Sequence, residues 1–235
     1  MPIDLDRVKA ICFDVDGTLS DTDDQFVRKL VKFLTPVVIM FPRFNIHPIA
    51  RKLVMFTEGP GNWVYSLADR VGLDGKIIAL GDRIYEKGIG ETAEPFILME
   101  GVREMLVILR NHFPLSIISA RGRKSTYRFL NQFELLSFFT AVATGQTCTR
   151  TKPYPDPILW AAEKMGVTAS SCLMVGDTVV DILAGKKAGA QTIGVLSGFG
   201  QEQELRWAGA DLILNNTADL LKLISEANNH PTQSL

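Results

Sequence analysis

"ICFDVDGTLS", residues 11–20, sets the apolar run Ile11-Cys12-Phe13 directly against two aspartates separated by a single valine. A carboxylate at the end of a buried strand is costly unless something binds it. Residues i and i+2 of a strand point to the same side, so Asp14 and Asp16 would share a side just before the chain turns at Gly17. At the carboxyl end of a central strand, that side is the crevice in which open α/β sheets bind ligands. Two carboxylates there can share a hard cation such as Mg²⁺, which prefers oxygen ligands. The competing reading is a strand end capped by Asp turns.

Further apolar runs end at turn or polar signals: "PLSIISA" near residue 117, "TAVATG" near 142, "CLMVGD" near 174, "QTIGVL" near 193 and "DLILN" near 213. They lack clean alternation, which favours strands buried on both faces of a parallel sheet. Between them lie stretches with helical spacing. "VREMLVILRNH" carries Val102, Met105, Leu106 and Leu109, and "KSTYRFLNQF" carries Tyr127, Leu130 and Phe133. "DPILWAAEKMG" opens on Asp156 as a cap with Pro157 in the first turn and stops at Gly166. "TVVDILAGKKAGA" and "QELRWAGA" complete the set. This alternation, from about residue 100 onward, predicts a βαβ array with right-handed crossovers. Residues 20 to about 95 break it: "DQFVRKLVKFL", "PIARKLVMF", "WVYSLADRVG" and "KIIALGDRIYEKG" read as helices. A helical insert is therefore expected between the first strand and the rest of the sheet, and "ANNHPTQSL" reads as a frayed tail.

The bulk properties suit a globular chain. Of 235 residues, 46% are hydrophobic and 22% charged, and the net charge is −1, so no basic field points to nucleic acid. "FLTPVVIMF" (33–41) is too short to span a bilayer and is interrupted by Pro36. The N-terminal "MPIDLDRVKA" has acidic residues where a signal peptide would be basic. Cys12, Cys148 and Cys172 are widely spaced and form no CxxC, as expected of reduced thiols in a cytoplasmic protein.

Three other stretches place chemistry at strand ends. "GDTVVD" (176–181) puts Asp177 and Asp181 after an apolar strand, "IISA" ends another at Ser119, and "RTKPYPDP" sets Lys152 in a proline-rich loop before a helix. Taken singly these read as an Asx-turn, a helix cap and a solvated lysine. Together, in this order, they resemble the haloacid dehalogenase superfamily in its phosphatase branch. The matching residues are Asp14-Val15-Asp16-Gly17-Thr18, then Ser119, Lys152, and Gly176-Asp177 with Asp181. The resemblance covers essentially the whole chain.

The resemblance implies an α/β fold: a Rossmann-like parallel sheet core flanked by helices (1–19 and 96–235), with an inserted α-helical cap domain (20–95) like those of phosphoglycolate phosphatases and β-phosphoglucomutases. It implies that Asp14 attacks phosphorus and forms an aspartyl phosphate, and that Asp16 serves as acid and then base, with its backbone carbonyl on the metal. Asp14, Asp16 and Asp177 would bind Mg²⁺, supported by Gly176 and by Asp181, which would bind through water or steady Lys152. Lys152 would offset the charge gathered at Asp14. Ser119, Ala120 and Thr18 would bind the phosphate. Arg121 and Arg123 depart from the family pattern, which often has a shorter neutral pair there; they add anion binding beside the phosphate or face solvent, and Arg121 is assigned to the phosphate. Asp16 separates the chain from the dehalogenases, which lack the second aspartate.

In the cap, "TEGPGNW" (57–63) resembles in position the family's specificity loop, which would bring Glu58, Asn62 and Trp63 to the leaving group, with Arg43 and Arg51 as further cations; the other reading is an ordinary helix–helix turn. A phosphonate hydrolase would need a cap lysine; Lys29, Lys32 and Lys52 are candidates by position only, and read better as a solvated helix face. The expected substrate is a small phosphate ester, with phosphoglycolate leading and sugar phosphates and nucleotides as alternatives. The other readings are a phosphomutase and a non-catalytic binding protein on the same scaffold. The expected state is a monomer or homodimer acting without nucleic acid or membrane.

Overall fold

The computed structural model describes residues 3–21 and 96–229. Six strands, β1 (Ala10–Phe13), β2 (Leu115–Ile118), β3 (Ala141–Ala143), β4 (Cys172–Gly176), β5 (Gln191–Val195) and β6 (Leu212–Leu214), form one parallel sheet in the order β3-β2-β1-β4-β5-β6. All six runs picked out in the sequence are strands. The connecting helices are α1 (Val102–Leu109), α2 (Arg123–Gln132), α3 (Asp156–Met165), α4 (Val179–Ala188), α5 (Glu202–Trp207) and α6 (Leu220–Asn229). The chain has the helix-flanked, Rossmann-like α/β fold.

The strands look continuously apolar because both faces are covered, and the two faces differ in size. Ile11, Phe13, Leu115, Ile117, Leu173 and Val175 point into one core, with Val102, Leu106 and Leu109 of α1 and Phe129 and Leu130 of α2. Ala10, Cys12, Cys172 and Met174 point into the other, against Ile158, Ala161 and Ala162 of α3 and Ala184 of α4. Small side chains on this second face let α3 and α4 approach the sheet closely, which brings the loops before them onto the ends of β1 and β4.

Local details differ from the sequence expectation. In α2 the inward face is Thr126, Phe129 and Leu130, while Tyr127 is half-buried. The apolar spacing of Tyr127, Leu130 and Phe133 left out Phe129, which forms edge contacts with both Phe96 and Phe133. The cap of α3 is Pro155, not Asp156; Asp156 instead accepts from Arg150 Nε at 3.2 Å. Ala227–Asn229, expected in the tail, continue α6.

Residues 22–95, on which nearly all of the expected helical cap falls, lie outside the described residues, as do the final residues 230–235. The described residues on either side of that segment pair with each other. Asp21 N–H donates to the Ile97 carbonyl at 2.9 Å and Met99 N–H to the Leu19 carbonyl at 3.0 Å, with an antiparallel bridge between Ser20 and Leu98.

Ile11 sits fully buried on β1, between β2 and β4. Truncation there leaves a cavity that a closely packed core cannot refill. Ile11→Ala is expected to lower unfolding stability by about 2–5 kcal/mol, read as a fall in the urea midpoint with an unchanged slope.

Candidate active site

Parallel register brings the catalytic candidates together. Phe13 pairs with Ile117 of β2 and with Val175 of β4, so Asp14 leaves β1 where Ser119 is about to leave β2 and Asp177 is about to leave β4. Asp14 N–H continues the ladder to the Val175 carbonyl at 3.0 Å, and Ser119 N–H does the same to Ala143 at 2.9 Å. These side chains therefore hang from the carboxyl edge of a fixed sheet.

Lys152 joins them from the loop before α3. Its ammonium donates to Asp14 Oδ1 and to Asp181 Oδ1, each at 2.6 Å, and its side chain is only 4% exposed. Asp181 is fixed from its other oxygen. Oδ2 accepts from the Thr178 backbone N–H at 3.0 Å and from its hydroxyl at 2.6 Å, forming the capping box that starts α4. One carboxylate thus caps a helix and aims a lysine.

The electrostatics follow from burial. Desolvation pushes the Asp14 carboxyl up to about 7, against the pull of Lys152 and with the push of Asp181 and Asp16. Burial also works against the Lys152 charge, but the two carboxylates outweigh it and hold the ammonium above the usual lysine range. The two groups shift in ways that disfavour and favour their charges, respectively, because one cation serves two acids.

Asp177 is fully buried. Its Oδ1 accepts from the Thr18 hydroxyl at 3.3 Å and its Oδ2 from Phe199 N–H at 2.9 Å. Carboxylate oxygens of Asp14, Asp177 and Asp181 all lie within 4.8 Å of one another. This donor set is hard oxygen throughout, and Lys152 offsets only part of its charge. That chemistry fits a small divalent cation.

The other expected residues are placed as follows. Ser119 is buried and its Oγ accepts from Arg121 N–H at 3.1 Å, which leaves its own O–H to donate. Ala120 is exposed at the same turn. Thr18, expected on the phosphate, is fully buried and spends its hydroxyl on Asp177 instead, while its carbonyl accepts from Thr217 Oγ1 at 2.6 Å. Arg121, also expected on the phosphate, grips Asp16: its Nε donates to Oδ2 at 2.6 Å and its second terminal nitrogen donates to Oδ1. Arg123 is exposed and its ring contact is Tyr127. Gly176 packs against Asp181, whose Cβ occupies the place a side chain at 176 would need. The cap residues Glu58, Asn62, Trp63, Arg43, Arg51, Lys29, Lys32 and Lys52 lie outside the described residues.

The sequence reading missed the loop after β5, "SGFG" (197–200). Gly198 and Gly17 flank Asp177 so tightly that a Cβ on either would overlap its carboxylate. Gly17 also holds φ +69°, a conformation that glycine adopts without strain. Ser197 Oγ donates to the Gly17 carbonyl at 3.0 Å. The signal was present as two glycines, three and five residues past the end of a strand, a mark of close backbone approach.

The chain belongs to the haloacid dehalogenase-like hydrolases, whose family model matches residues 11–195. It is 28% identical over 207 residues to a phosphoglycolate phosphatase of Neisseria gonorrhoeae, covering 83% of each chain. It is 26% identical over 222 residues to the pyrophosphatase PpaX of Oceanobacillus iheyensis, covering 94% of this chain and 98% of that one. A family hydrolase of Deinococcus radiodurans, solved with phosphate and sodium, superposes with a TM-score of 0.67 at 20% identity, covering 94% of this chain and 97% of that one; this likeness is one of fold. No described helix is long and apolar enough to cross a membrane.

Two substitutions test the site. Lys152→Met leaves two buried carboxylates without their shared cation, and is expected to cost about 3–5 kcal/mol of unfolding stability in chelator; an unchanged denaturation midpoint would contradict the pairing. Gly198→Ala drives a methyl into Asp177, and is expected to weaken Mg²⁺ binding by about 10–100-fold in calorimetry.

Proposed function

We propose that this protein is a Mg²⁺-dependent phosphatase that hydrolyses a small phosphomonoester through an aspartyl phosphate on Asp14. The observation that carries the reading is the buried ammonium of Lys152 shared by Asp14 and Asp181, with Asp177 and Ser119 at the neighbouring strand ends. A phosphate ester repels nucleophiles, so catalysis depends on positioning and charge neutralisation. Asp14, Asp177 and the Asp16 carbonyl would hold the cation, which when bound offsets charge on the phosphoryl oxygens.

A carboxylate oxygen of Asp14 attacks phosphorus, forming the O–P bond of an acyl phosphate as the bond to the leaving oxygen breaks. Lys152 holds Asp14 in line and balances the accumulating charge. Ser119 donates its O–H to a phosphoryl oxygen. Asp16 gives a proton to the leaving oxygen, then recovers one from the water that cleaves the aspartyl phosphate. Inorganic phosphate leaves and Asp14 is regenerated. Thr18 supports Asp177 rather than the substrate.

Residues 20–95 act as the cap in this reading, supported by the pairing of the flanking described residues Asp21 with Ile97 and Ser20 with Leu98. Phosphoglycolate is the leading substrate, supported by the names of relatives at about this level of similarity; the pyrophosphatase among them adds pyrophosphate to the candidates. A cytoplasmic setting belongs to the reading, because Cys12, Cys148 and Cys172 are free thiols, the state that a reducing compartment maintains.

The test is phosphate release from 2-phosphoglycolate, pyrophosphate and a set of sugar phosphates, with Mg²⁺ or with excess chelator. Release is expected to need metal and to fall by at least about 10³-fold in Asp14→Asn, the order lost when a covalent nucleophile is removed. Metal-independent release, or an active Asp14→Asn, would overturn the mechanism.

A further inference from the structure

Asp16 sits two residues beyond Asp14 and is gripped through both carboxylate oxygens by Arg121. A bidentate fork fixes orientation as well as position. The guanidinium is itself aimed from two directions. Its backbone is pinned, with Arg121 N–H donating to Ser119 Oγ at 3.1 Å and its carbonyl accepting from Gly145 N–H at 2.9 Å. Its planar head lies over the Phe96 ring, 4.9 Å from the centroid, and 6.0 Å from that of Phe129.

Those two rings stand edge to face, 5.7 Å apart at 89°. Phe96 is in turn tied to α2 by its backbone, donating to Gln132 Oε1 at 3.1 Å and accepting from Gln132 Nε2 at 2.8 Å. An unbroken set of contacts therefore runs from α2 through an aromatic platform and one guanidinium to the carboxylate beside the nucleophile.

We propose that Arg121 is a positioning residue that orients Asp16 toward the leaving oxygen, with Phe96 and Phe129 as the platform that aims it. The inference rests on the phosphatase reading and on the acid–base role of Asp16 within it. A carboxylate has lone pairs to spare beyond the two that Arg121 occupies, so the grip leaves room for a proton donated outward while preventing the group from turning. Orientation of this group matters only where the leaving oxygen needs a proton. Arg121 should therefore decide the rate on alkyl phosphates and matter little for esters whose leaving group departs as a stable anion.

The experiment compares kcat/KM on 2-phosphoglycolate and on p-nitrophenyl phosphate, since this ratio reports the steps up to departure of the leaving group. Wild type, Arg121→Gln, Arg121→Lys, Phe96→Leu and Asp16→Asn are assayed with Mg²⁺. Arg121→Gln is expected to lose about 100-fold on the alkyl ester, the loss that a misplacement of roughly 1 Å produces, and only a few-fold on the nitrophenyl ester. Asp16→Asn should show the same contrast more strongly, Phe96→Leu a smaller version of it, and Arg121→Lys a partial recovery. Equal losses on both esters would assign Arg121 to phosphate binding and overturn the proposal, as would an unaltered Arg121→Gln. If Arg121→Gln does not fold, the contrast is read from Arg121→Lys and Phe96→Leu, and its absence there overturns the proposal. A wild type inert on both esters fails the phosphatase reading itself and takes this inference with it.

Discussion

The buried ammonium of Lys152 is the constraint on which the site depends. Asp14 and Asp181 are brought within 4.8 Å of each other and of Asp177 at the edge of an apolar sheet, an arrangement that repulsion and desolvation would disperse. A single cation bonded to two of the three acids makes the cluster tenable. It does not neutralise the cluster, and Asp14 stays hard to ionise. In the proposed reading, the remaining demand for positive charge is what a divalent cation would meet.

The fold supplies this constraint through parts that each do two things. Asp181 caps α4 and holds Lys152. Thr18 turns the chain after β1 and donates to Asp177. The loop after β5 gives Asp177 a backbone N–H from Phe199 and, through Gly198, the space its carboxylate fills. Small side chains under α3 and α4 draw those helices and their leading loops onto the sheet. Rigidity at Asp14 follows from ordinary secondary-structure requirements met by the same atoms.

How much of this could be read from the chain follows the range of the signal. The six strands were legible because each is a short apolar run closed by a polar residue, and the strand-end acids because their spacing is local. Lys152 was found as a loop residue, but its double pairing depends on contacts with Asp14 and Asp181, 138 and 29 residues away. The inward face of α2 was misread because Phe129 belongs to a face that includes polar Thr126. The partners that Thr18 and Arg121 take in the structure were not legible, because position in the motif says nothing about where a side chain points. Their partners, Asp177 and Asp16, are set by register between distant strands and loops. The glycines of 197–200 were passed over because their role is only to be absent, leaving space for Asp177.

The central claim is that Asp14 is only partly ionised near pH 7 until a cation occupies the cluster. Calorimetry of Mg²⁺ binding in buffers of different ionisation heat measures the protons released, since a ligating carboxyl must lose its proton. With the Asp14 carboxyl pushed up to about 7, the account predicts release of about half a proton near pH 7, declining toward zero near pH 9 and missing from Asp14→Asn. Binding without proton release near pH 7, or equal release from Asp14→Asn, would contradict it.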